Sequence, residues 1–277
     1  MRKKVLFDKL NLAVSKTFRI FDLSMRETNT ISDTQTKTAY QKVLISKKQK
    51  TMNSIGFPVI GLNGKRVMVK FTALKNKTVN SKTGDMVQSW MLPMDWVDAK
   101  RIDDDEAVCG DCPHSFRAAD TCYLHKGMAF MGLLSTTKSW PQAFIDQHEF
   151  DQFVHLFSDR LVRFGSFGEP VLMGEDVVSA ICSVAKGWTG YTHQWDKPQY
   201  QWAKKYFMAS ADTEEKAQQA QAMGWRTFRV RQKDDSIVKG EVNCPASKES
   251  NKKTTCSNCR LCMGTSSKAK SVTIIKH

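Results

Sequence analysis

An α/β fold built on a parallel sheet, either open or curled into a partial βα barrel, is what this sequence predicts. Two observations lead there. From about residue 140 onward, short β-type runs alternate with stretches whose apolar residues recur at helical spacing, and strands separated by helices pair in parallel. The composition, 41% hydrophobic and 25% charged over 277 residues, is that of a globular chain able to bury a full core.

Three regions follow in order. Residues 1–51 run from MRKK through an apolar-basic stretch into a Thr/Ser/Gln/Lys-rich linker, which predicts a basic leader, flexible or in part a short amphipathic helix. Met52 offers a second start of translation. Residues 52–104 predict a small β-rich unit, with RVMVKF and MVQSWMLP as strands of a hairpin around the turn chemistry of KNKTVNSKTGD. Residues 105–277 predict the α/β domain. In it we read a helix over WPQAFIDQHEFDQFVHLF, a strand at LVRFGS, a helix at GEDVVSAICSVAKG and a strand at WTGYTH. A short helix near PQYQWAKKY and a strand at FMASA come next. A helix at TEEKAQQAQAMG, opened by an Asp-Thr cap and closed by Gly224, leads to the strand WRTFRVR, and SVTIIKH is the last strand.

The formal charge of +14 is unevenly placed. Residues 1–51 hold twelve Lys/Arg against four Asp/Glu and residues 248–277 seven against one, while the body between them is balanced. Two basic ends on a neutral body read as solvated tails or as an electrostatic footprint for nucleic acid. The chain has no apolar stretch of the roughly 20 residues a membrane-spanning helix needs, so no membrane partner is expected. Eight cysteines in a long chain without a secretory leader point to a reducing compartment, the cytoplasm of a bacterial host, where clustered thiols bind metal rather than pair.

Those cysteines form two groups. Cys244, Cys256, Cys259 and Cys262, in CPASKESNKKTTCSNCRLC, combine two overlapping C-x2-C steps with one upstream thiol. Four thiolates suit Zn²⁺ or an iron–sulfur cluster, and three of them in one C-x2-C-x2-C run favour the cluster. Cys109, Cys112 and Cys122 form the second group, with His114 and His125 nearby. A histidine would close a structural site there, whereas three sulfurs alone leave a coordination position open. Cys182, within VVSAICSVA, reads as a small core residue.

Strand ends are where open-sheet and barrel enzymes place function. GSFGEP (165–170) follows a strand, and YTHQW places Tyr191, His193 and Trp195 on one side of the next by alternation. His193 is a candidate catalytic residue and Trp195 a stacking surface for a base or purine. Ser210 and Asp212 end the following strand, with Asp212 also placed to cap a helix; Arg226, Arg229 and Arg231 form an anion site or a solvated strand face.

The ordered set CGDC…CY, RFGSFGEP, GYTHQW, MASADTEEKAQQAQAMGWRTFRV and CPAS…TTCSNCRLC resembles an uncharacterised cysteine-rich family carried by bacteriophages and plasmids. It is similar, more distantly, to the phage "gene eighty-eight product" family. A remote likeness to radical S-adenosylmethionine enzymes implies that Cys109, Cys112 and Cys122 hold the cluster and that Gly168, Glu169 and Pro170 form the methionine-binding turn; the strand-end positions of Glu169 and His193, facing that cysteine site, make them the candidate catalytic pair. The spacing departs from that family: its cysteines stand three then two residues apart, these two then nine. The sequence thus predicts a metal–cysteine protein, iron–sulfur or zinc, with S-adenosylmethionine as an implied cofactor. Its competitors are a zinc-stabilised nucleic-acid-binding or replication-associated protein and an accessory protein whose metals only hold the fold.

Overall fold

A computed structural model of the protein describes residues 52–78, 80–94, 104–118, 122 and 143–276. The predicted leader 1–51, His125 and Tyr123 lie outside the described residues. Residues 52–277 form one compact unit.

Eleven strands are described: β1 (Ser54–Ile60), β2 (Arg66–Thr72), β3 (Val87–Pro93), β4 (Ala143–Phe144), β5 (Leu161–Phe167), β6 (Gly187–Thr189), β7 (Tyr191–Thr192), β8 (Met208–Ala211), β9 (Thr227–Arg231), β10 (Glu241–Asn243) and β11 (Ser271–Ile275). They form two sheets, β4-β1-β2-β3-β5-β6 and β10-β11-β9-β8-β7. The hairpin strands β1, β2 and β3 pair antiparallel, and β3 then pairs β5 in parallel, so the β-rich segment continues directly into the α/β sheet. Every pairing of the second sheet is parallel. The two sheets share one stretch of chain, Gly187–Thr192, interrupted at Gly190: its first half pairs β5 and its second half β8. The result is a mixed α/β architecture with open, mostly parallel sheets, as the sequence predicts, and without barrel closure.

Apolar alternation fixes the faces. Val67, Val69 and Phe71 of β2, Val87 and Met91 of β3, and Val162 and Phe164 of β5 are buried in one core with the helix α2 (Glu175–Val184). The segment Gln147–Phe157 joins them as a 3-10 helix. Its Phe150, Phe153 and Phe157 recur nearly every three residues, the repeat at which 3-10 side chains line up. Edge-to-face packing seats them: Phe150 lies 5.4 Å from Phe57 and Phe157 4.9 Å from Phe71. The expectation of a helix starting near residue 140 is corrected here, because Ala143–Phe144 extends to pair with β1. PQYQWAKKY also winds as 3-10, over Pro198–Lys205.

The opposite face of the first sheet is more polar. Lys70, Gln88, Trp90 and Arg163 share it by register. Lys70 is only 2% exposed, and burial lowers its ammonium pKa to about 8. The unfolded chain keeps that proton up to about pH 10.5, the folded chain only up to about pH 8. Between these values the unfolded state binds more protons, so stability contributed here rises with pH across the window and is lost as pH falls. At ~1.4 kcal/mol per unit the cost at pH 7 is up to about 3 kcal/mol. Lys70→Met is therefore expected to raise the denaturant midpoint at pH 7, with the gain shrinking toward pH 10.5.

Candidate functional site

Three strand ends and one loop meet at one place. β5 carries a bulge at Gly165 (φ +65°), where the register with β3 shifts, and the Gly165 N–H donates to Ser89 Oγ at 2.9 Å. A bulge re-aims the end of its strand. The chain then turns at Gly168 (φ +76°), where a Cβ would stand 2.7 Å from Met91 Cβ. That close approach lets the Glu169 N–H donate to Val108 O at 2.7 Å, anchoring the short helix α1 (Glu106–Cys109) beside the strand end. Pro170 opens a 3-10 turn, Pro170–Met173.

Glu169 points inward and is 5% exposed. Its Oε2 accepts from Thr192 Oγ1 at 2.6 Å and its Oε1 from the His193 backbone N–H at 3.0 Å. His193 Nδ1 stands 3.5 Å from the same Oε1. His193 is thus held from both backbone and ring, with Nε2 turned toward Cys112 Sγ at 3.8 Å and Asp212 Oδ1 at 3.7 Å. Asp212 directly follows β8, and its Oδ1 also meets His114 Nε2 at 2.8 Å.

The electrostatics follow from this packing. Burial opposes protonation of His193, but its hydrogen bonds to Asp212, Cys112 and Glu169 outweigh it and raise the imidazole pKa well above the usual value. For Asp212 burial again works against charge, and His114 with His193 overcomes it, holding the carboxyl well below the ordinary range. Burial pushes the Cys109 thiol far up, reinforced by Asp105, Cys112, Glu169 and Cys122. Cys109 and Cys112 sit in one turn, the Cys112 N–H donating to Cys109 O at 3.1 Å. Beside them opens a cleft of about 300 Å³ lined in part by Gly110, Asp111, Arg117, Gln194, Lys197 and Tyr200. Its charges are matched internally, Lys197 with Asp111 at 2.9 Å and Arg117 with Glu106 at 3.0 Å.

The second cysteine group assembles from separate segments. Cys244 follows β10, and its N–H donates to Thr273 O of β11 at 2.8 Å. The helix α3 (Glu214–Ala222) precedes β9, and Cys256 and Cys259 bound the one-turn helix α4 (Cys256–Cys259). The Cys256 and Ser257 N–H groups donate to Lys82 O and Thr83 O. Arg260, at φ +53°, turns the chain so that Cys262 O accepts from the Gly190 N–H where the two sheets join. Burial pushes the Cys262 thiol up to about 12, against a hydrogen bond with Tyr191 and with the help of Cys244, Cys256 and Cys259. Cys244 and Cys262 pack in the same small apolar core. Arg163 and Lys82 oppose the burial of Cys256.

The structure places Cys112 beside His193, with Sγ 3.8 Å from Nε2, and packs Cys244 and Cys262 with Met208 and Tyr191; among the described residues the set of three candidate ligand atoms lying within 4.8 Å of one another is His114, His193 and Asp212. It gives several other residues different work. Trp195 is 6% exposed and its Nε1–H donates to Ser210 O at 3.0 Å; alternation stops at Thr192 because Gln194–Asp196 winds into a 3-10 turn, so Trp195 enters the core rather than forming a stacking surface. Thr213, not Asp212, caps α3 by accepting from the Lys216 N–H. Arg226 donates to Leu261 O and Gly264 O, Arg229 pairs with Glu241, and Arg231 donates to Asp235 O, so these arginines are structural. Cys182 packs on the core from α2, as its apolar flanks predict. What sequence reasoning missed is the contact between His114 and Asp212; the only hint was a histidine two residues after a loop cysteine.

Among the described residues, no helix is long and apolar enough to cross a membrane. Comparison with known proteins gives no match to any family model, curated protein or solved structure.

Proposed function

We propose that the protein is a metal–cysteine protein of phage or plasmid type whose cysteines hold iron–sulfur centres and whose reaction face is the strand-end mouth beside Cys109, Cys112 and Cys122. The observation that supports this reading is the spacing of seven cysteines in two local runs, Cys109, Cys112 and Cys122 in one and Cys244, Cys256, Cys259 and Cys262 in the other, with Cys244 and Cys262 packed into one small core. Burial keeps these thiols protonated, and binding to a metal would hold them as thiolates. The donor sets fit: Cys244, Cys256, Cys259 and Cys262 supply four sulfurs, and Cys109, Cys112 and Cys122 supply three with a position left open.

An iron–sulfur centre in such a site supplies one-electron transfer. The chain's own residues do the positioning. Thr192 orients Glu169, Glu169 fixes the tautomer of His193 through Nδ1, and His193 presents Nε2 at the mouth. The four-cysteine cluster lies against the opposite face of Tyr191's strand and supports the join between the sheets.

S-adenosylmethionine does not fit the turn as it stands. Both oxygens of Glu169 are engaged by Thr192 and His193, and Gly168 is used for the close approach of Met91 and Val108. No step is routed through that cofactor. The nucleic-acid alternative relies on basic ends and exposed aromatics, and Trp195 is buried.

Anaerobic purification with iron, sulfide and zinc analysis and absorption spectroscopy tests the reading. Iron and sulfide in comparable amounts, with broad visible absorption bleached by dithionite, are expected. One zinc per cluster and no chromophore would sink it.

A further inference from the structure

His114, His193 and Asp212 come from a loop and two strand ends, and each offers one ligand atom within 4.8 Å of the others. We infer that they form a mononuclear site for a divalent transition cation, ferrous, manganous or zinc, separate from the metal of the cysteine clusters. This goes beyond the function proposed above; the site adjoins the first cysteine group, since Cys112 Sγ stands 3.8 Å from His193 Nε2.

The distances suit one ion. Asp212 Oδ1 is 2.8 Å from His114 Nε2 and 3.7 Å from His193 Nε2. Ligand bonds of ~2.1 Å would place neighbouring donors ~3.0–3.4 Å apart, depending on whether the geometry is octahedral or tetrahedral, so the observed pair brackets the requirement. Two imidazoles and one carboxylate form the donor set that binds ferrous iron with coordination positions left open, and zinc accepts the same donors.

Two further observations point to a ligand. Asp212 Oδ2 is buried without a hydrogen-bond partner among the described residues and has only an ion pair to Lys216 Nζ at 3.6 Å; a cation held by both carboxylate oxygens would engage it. His193 is also oriented as metal-binding histidines are. Its Nδ1 faces the carboxylate of Glu169 at 3.5 Å, and Thr192 fixes that carboxylate in turn. With Nδ1–H directed at Glu169, the ion would displace the Nε2 proton and take the lone pair there, the arrangement in which an outer carboxylate sets the tautomer of a ligating imidazole. Cys112 Sγ, 3.8 Å from His193 Nε2, stands within reach as a neighbouring donor. Glu169 and Thr192 are positioning residues for this site.

Manganous ion is the probe, because it prefers nitrogen and oxygen to thiolate and so distinguishes this site from the cysteines. The full-length protein, anaerobic and with its cysteine metal in place, is titrated with Mn²⁺ while the free-ion paramagnetic resonance signal is followed. One bound Mn²⁺ per chain is expected, with affinity falling at least tenfold in both His114→Ala and Asp212→Asn and unchanged in Cys182→Ser. Pulsed resonance on the unmutated protein makes the test independent of whether a variant folds: coupling to two imidazole nitrogens supports the site, and no histidine coupling overturns it. Equal affinity in all variants would also overturn it. Iron and sulfide content, measured on the same samples, reports separately on the cysteine clusters.

Discussion

Glu241→Ala is expected to destabilise the protein by about 3–5 kcal/mol, more than any other single change outside the cysteine clusters, because it strands a buried guanidinium. Arg229 and Glu241 meet twice, Nε to Oε1 at 2.9 Å and Nη2 to Oε2 at 2.8 Å, with side-chain exposures of 2% and 0%. Arg229 lies on β9 and Glu241 on β10, and β11 runs between them, so the pair reaches across Thr273, which is fully buried and donates its Oγ1–H to Arg229 O. Strand β10 is a three-residue edge strand held on one side only. A strand that short contributes few ladder bonds, and the ion pair is what keeps it in register. Cys244 follows immediately after β10, so the same substitution should weaken metal retention at the four-cysteine cluster. The double variant Arg229→Met, Glu241→Leu separates the two causes. Replacing a buried pair by apolar residues of similar volume is commonly neutral or stabilising, so the denaturant midpoint of the double variant should recover most of the loss. If Glu241→Ala unfolds at the wild-type midpoint, the pair is not holding the edge.

Most of the fold is legible in the sequence, since it depends on side-chain period. RVMVKF, LVRFGS, WRTFRVR and SVTII each declare a strand by β-branched and aromatic content, and EDVVSAICSV and EEKAQQAQA declare helices by spacing and by an acidic first turn. The misses have local causes. SIGFPVI contains glycine and proline yet forms β1, paired with β2 along its whole length from Ser54↔Thr72 to Ile60↔Arg66. EVN is too short to carry any period, and its place in the sheet is set by Arg229. The arginines of β9 look like a charged surface until their acceptors, carbonyls and Glu241, are seen. The site divides the same way. Cysteine spacing is a local signal and marks two groups of thiols as candidate ligands. The strand-end rule finds Glu169 and His193. The contact between His114 and Asp212 joins residues 98 apart, and nothing local announces it; only the parallel order of β7 and β8 brings Asp212 under the loop that carries His114.

Cys262→Ser should produce the largest effect of all, and the comparison with Cys182→Ser shows why. Both thiols are shielded from water, and burial raises the pKa of both. Cys182 has apolar neighbours and no second sulfur, so exchanging it for serine alters packing and costs about 1–2 kcal/mol at most. Cys262 packs in one small core with Cys244, and its backbone carbonyl accepts from Gly190 at the join of the two sheets. On the proposed reading the four thiolates bind metal, and a metal site absent from the unfolded chain adds its binding free energy to folding, on the order of 10 kcal/mol for four-ligand sites. That is comparable with the whole stability of a typical domain. Cys262→Ser is therefore expected to lose the metal of the C-terminal cluster and to open β7, β8, β9 and β11 to hydrogen exchange. The first sheet, whose phenylalanine core does not involve this cluster, should exchange more slowly than the second. Chelation of the unmutated protein under reducing, anaerobic conditions should reproduce the pattern without any substitution. If Cys262→Ser and Cys182→Ser shift the melting midpoint equally, the four cysteines are core residues and the metal reading of this cluster fails.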